Sequence, residues 1–84
     1  MSQHTPNELT EIFKRDADLI SKLKQTDAHY AKLADEYHEV NRAVHRHESE
    51  TETLSDEHAE ALKKQRLGLL DEITMIVTKA RAEA

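Results

Sequence analysis

Between Asp27 and Glu48 the apolar residues Tyr30, Leu33, Tyr37, Val40 and Val44 recur at intervals of 3, 4, 3 and 4. Those intervals place all five on one stripe of a helix, the heptad pattern of a helix packed lengthwise against another. A stripe of this kind must be covered, and the matching surface in the chain begins near Ser55. There Ala59, Leu62, Arg66, Leu69, Ile73, Ile76 and Ala80 repeat the same 3 and 4 spacing. With the two stripes laid antiparallel, Val44 faces Ala59, Val40 faces Leu62, Tyr37 faces Arg66, Leu33 faces Leu69 and Tyr30 faces Ile73. Thr26 and Leu23 continue the series opposite Ile76 and Ala80. The residue numbers of each facing pair sum to 102 or 103, so one register serves the whole length. The expected fold is all-α: an antiparallel helical hairpin, coiled-coil-like, with an additional N-terminal helix and self-association into a bundle.

Three segments follow within one domain, residues 1–84. Thr5-Pro6-Asn7-Glu8 reads as a helix start, with Thr5 as N-cap, Pro6 at the first helical position and Glu8 closing a capping box. Leu9, Ile12, Phe13, Leu19, Ile20 and Leu23 then mark an amphipathic helix over 6–24. Thr26 and Asp27 are poor interior residues and good caps, so a break or bend is expected there rather than one continuous rod. The second helix covers 27–48. An acidic turn over 49–55 follows, and Ser55 with Asp56 and Glu57 caps a third helix over 56–81.

Composition narrows the function classes. The chain has no cysteine, so neither a disulfide nor a thiolate site is available. An 84-residue chain without such staples draws on helix packing or association for its stability. Five of its 17 acids lie within residues 48–57, where there is no Lys or Arg; the other twelve balance the twelve bases. Attraction to nucleic acid or to an anionic membrane is not expected from this distribution. No apolar run approaches the ~18–20 residues of a membrane span, and no signal-peptide pattern opens the chain; the expected location is cytoplasmic.

Catalytic patterns are lacking: no phosphate-cradling Gly-rich loop, no nucleophile elbow and no metalloprotease motif. The chain is therefore read as a non-enzyme with no cofactor. Six histidines invite a metal or pH-sensing reading, in which His47 and His58 flank the acidic turn; none of them forms an i, i+4 pair on one helix. That reading is the alternative. Arg66, on the seam opposite Tyr37, is expected to lie across the tyrosine ring with its head at the surface.

Leu9, Ile12, Phe13 and Ile20 have no partner within a simple hairpin, and Leu70 and Val77 widen the apolar face of the third helix. These six are the expected interface. They point to a homodimer forming a four-helix bundle, with an unidentified protein as a possible further partner.

The combination Asp27-Ala28-His29-Tyr30 with Leu33, Tyr37-His38-Glu39-Val40-Asn41, Val44-His45-Arg46, Glu48, Leu62-Lys63-Lys64-Gln65-Arg66-Leu67 and Asp71-Glu72-Ile73 resembles the small bacterial YdcH-like proteins, a family of unknown function. The resemblance spans about residues 9–76. It implies a small cytoplasmic helical hairpin and carries over no catalytic residue. The chain departs from the family pattern at His47, where an aliphatic residue is typical, and at Gly68 and Leu70, where lysines are common. Loss of a lysine at Leu70 makes that face more apolar than is usual.

Overall fold

The computed structural model describes residues 8–48 and 55–83, and within them the chain is all-helical. Its elements are α1 (Leu9–Ile12), a 3₁₀ turn (Lys14–Asp16), α2 (Ala17–Thr26), α3 (Ala28–Glu48) and α4 (Asp56–Glu83). Thr5, Pro6 and most of the acidic turn lie outside the described residues.

Each long helix starts where a side chain can satisfy its first free N–H groups. Asp27 is extended, and its Oδ1 accepts a hydrogen bond from Tyr30 N at 3.1 Å, while its own N–H donates to Leu23 O at 2.8 Å. One residue thus ends α2 and caps α3. Ser55 Oγ accepts from His58 N at 3.1 Å, and Asp56 and Glu57 fill the first turn of α4.

The N-terminal segment departs from expectation. Instead of one helix over 6–24, the chain stops at Phe13, whose backbone leaves the helical region at φ −110° and ψ 46°, and resumes as α2 after the 3₁₀ turn. Glu8 stands at the N-cap position of α1 without a side-chain capping bond. The break has a packing reason. Leu9, Phe13 and Ile20 are all buried, in one cluster with Tyr30, Leu33, Ala34, Tyr37, Ile73 and Val77, and the turn lets both short helices lay their apolar residues on the surface of α3 and α4.

α3 and α4 share the most extensive helix contact, and α2 packs on both. At ~1.5 Å per residue, the 28 residues of α4 reach about 42 Å, which accounts for the longest dimension of the molecule, 43 Å. All five stripe residues of α3 are buried, joined by Ala34 and Asn41. On α4 the buried residues are Ala59, Ile73 and Val77, while Leu62, Arg66, Leu69 and Ile76 are half-buried. The seam was expected to be the deepest line on α4, and Val77, expected beside it, is fully buried instead. A helix with one neighbour buries a narrow stripe; with two it buries a wider arc centred between them. Leu19, Leu23 and Leu70 complete that arc around the core.

Arg81, near the end of α4, holds Asp16 in the 3₁₀ turn through both guanidinium nitrogens, with Nε donating to Oδ1 at 3.3 Å and Nη2 donating to Oδ2. This bond lowers the Asp16 carboxyl below the usual carboxylate range. Gly68, by contrast, has open space where a Cβ would stand.

Three outcomes are expected. Phe13→Ala should destabilise the chain by about 3–5 kcal/mol in urea unfolding, an effect that a surface residue of a simple hairpin would not produce. Gly68→Ala should raise the stability of the single chain, measured in dilute solution, by up to ~1 kcal/mol. Because its folded pKa is depressed, the ionised Asp16 stabilises the fold above its unfolded pKa of about 3.9. That contribution disappears as pH falls through the folded value. Asp16→Asn should lower the urea midpoint at pH 7 and converge with the parent chain in strong acid.

Candidate functional site

Two of the exposed large apolar side chains, Ile12 and Leu67, come together where α1 meets α4. A groove of about 240 Å³ is lined by Ile12, Tyr37, Lys63, Arg66, Leu67 and Leu70. α1 brings Ile12 to it, α3 supplies Tyr37 as its floor, and one face of α4 supplies the rest, since residues 63, 66, 67 and 70 lie three and four apart. Ile12 is 40% exposed and Leu67 59%, and with Met75 at 72% they are the large apolar side chains most open to water among the described residues.

Arg66 is the groove's fixed charge. Its Nη1 donates to Asn41 Oδ1 at 3.0 Å, and Asn41 is completely buried. The guanidinium is half-buried, and its one hydrogen-bond or ion-pair partner among the described residues is this amide. A planar cation held by a neutral amide retains donors for an incoming carboxylate. Burial pushes the Tyr37 phenol up, with the Arg66 charge acting in the opposite direction and the Glu8 charge in the same one; burial likewise raises Tyr30. Lys63, at the rim, lies 3.8 Å from Glu60 Oε1.

The six expected interface residues divide between core and surface. Leu9, Phe13, Ile20 and Val77 are buried within the chain's own core, while Ile12 and the half-buried Leu70 line the groove. Leu9, Phe13 and Ile20 are covered because the N-terminal segment that carries them docks on α3 and α4, in one cluster with Val77. Leu67 and Asn41 were not singled out from sequence. Leu67 sits outside the heptad stripe, and its signal is the adjoining Gly68 and Leu70; for Asn41 the signal is its position seven residues after Ala34, on the same side of α3.

The histidines are dispersed. His38 Nδ1 lies 2.8 Å from Glu8 Oε2, an ion pair when the imidazole is protonated, and His45 Nδ1 lies 3.3 Å from Glu48 Oε1. His47 is half-buried at the end of α3 and His58 is exposed in the first turn of α4. Among the described residues no group of three His, Asp or Glu is arranged to hold a metal ion. A second hollow is lined by the charged residues Glu39, Arg42 and Arg46. No helix of the described residues is long and apolar enough to cross a membrane.

Residues 31–77 match the family described as "Protein of unknown function (DUF465)". No curated protein and no solved structure matches the chain.

Asn41→Ala should cost about 1–3 kcal/mol in urea unfolding, since it removes the buried acceptor of a charged donor.

Proposed function

The chain belongs to the YdcH-like family of proteins of unknown function, DUF465, and we propose that it is a non-enzymatic interaction protein that associates with itself and with a helix of a partner protein through the open side of α4. The observation that carries this reading is the groove: Ile12 and Leu67, both exposed, line it together with a fixed guanidinium, in a fold that buries the whole stripe of α3. A trough of apolar side chains with two cations, Arg66 fixed within it and Lys63 at its rim, suits an amphipathic helix, whose spaced apolar residues fill the trough while a carboxylate meets Arg66. The groove is open to water, whereas general acid–base work calls for a dry, concave site.

In this reading α3 and α4 form an antiparallel hairpin. It is supported by the seven residues between them and by their lengthwise packing, since a short connection returns a helix along its neighbour. The hairpin, braced by α1 and α2, presents α4 outward. Self-association comes first, to a dimer in the cytoplasm, and the groove residues Ile12, Leu70 and Arg66 receive the partner protein.

Molar mass by light scattering on a sizing column, over a tenfold concentration range, tests the reading. The parent chain should move from monomer towards dimer as concentration rises, and Leu67→Lys should remain monomeric with unchanged helical circular dichroism. A parent chain that stays monomeric throughout would overturn self-association.

A further inference from the structure

The outward face of α4 carries a pattern that its own fold does not use. Glu60, Lys64, Leu67, Gly68, Asp71 and Met75 are all exposed on consecutive turns of one side of the helix. The side chains of Lys64 and Asp71 take part in no hydrogen bond or ion pair among the described residues, and they stand seven apart, too far along the helix to reach each other. Gly68 lies between them. Nothing stands within 4 Å of where its Cβ would be, so intrachain packing does not require a glycine in the middle of this long helix, where glycine is the poorest ordinary former. A glycine does permit close approach by another backbone.

Resting on the self-association proposed above, we propose that α4 packs antiparallel against α4 of a second copy, about a two-fold axis passing between Leu67 and Gly68. Facing residues then have numbers that sum to 135. Leu67 of each copy seats over Gly68 of the other, Lys64 meets Asp71, and Glu60 lies opposite Met75, each pairing occurring twice by symmetry. The charge pattern selects this register. A shift of two turns that matched Leu67 with Met75 would set Asp71 against Asp71 across the axis.

Two single charge reversals and their combination, measured by sedimentation equilibrium, test the register. Lys64→Glu and Asp71→Lys should each weaken dimerisation at least tenfold, because each creates two like-charged contacts. The double variant should return to within about threefold of the parent chain. Circular dichroism should be the same for all four proteins, since neither side chain holds the monomer together. Gly68→Leu should abolish the dimer while leaving helicity intact. A dimer insensitive to both single reversals would overturn this register and leave self-association through the open side of α4 standing; a parent chain that never dimerises would overturn both.

Discussion

The burial of Tyr30, Tyr37 and Val77 depends on what the N-terminal segment brings to them. Two packed helices bury a seam one or two residues wide, and side chains beside that seam remain half in water. Leu9, Phe13 and Ile20 turn this pair into a layered structure with an enclosed core. For a chain of this size the third layer decides whether there is enough apolar contact to hold a unique fold. The irregular geometry at Phe13–Asp16 is its local cost, and Asp27 is its hinge point, since the helix start there frees α2 to lie at its own angle.

How much of this could be read in the sequence depended on whether a feature was local. Ser55 and Asp27 have short polar side chains at helix starts, and both make the hydrogen bonds expected of them. The stripe of α3 is a repeat over five residues, long enough to be unambiguous, and all five are buried. The break at Phe13 left no such trace: Phe13 and Ile20 are seven residues apart, so the apolar phase runs through the interruption unchanged. Only the docking of the segment on α3 and α4 bends it. The same docking widened the buried arc of α4 towards Val77 and drew four of the six residues expected at an interface into the core.

The groove was partly legible for a related reason. Ile12 and Leu70 stood out because a lengthwise pair of helices could not cover them, and they line it. Its anchor did not stand out. The spacing predicts Arg66 as a surface-seeking residue across a tyrosine, whereas Asn41 fixes one of its nitrogens from inside. A buried amide beside a stripe of valines carries no periodic signal of its own. It places a charge at a defined position in a groove lined by both apolar and basic side chains, which favours particular occupants over merely greasy ones.

The bond between Asp16 and Arg81 joins residues 65 positions apart, in a protein whose other connections lie mostly along its helices. In kinetic terms this sets an order of events. Helix turns form in well under a millisecond, and closing a long stretch of chain is the slower, entropically dearer step. A clasp between residues so far apart is expected to close over helices already formed, on the late side of the folding barrier. A contact of that kind acts on the rate of unfolding rather than on the rate of folding.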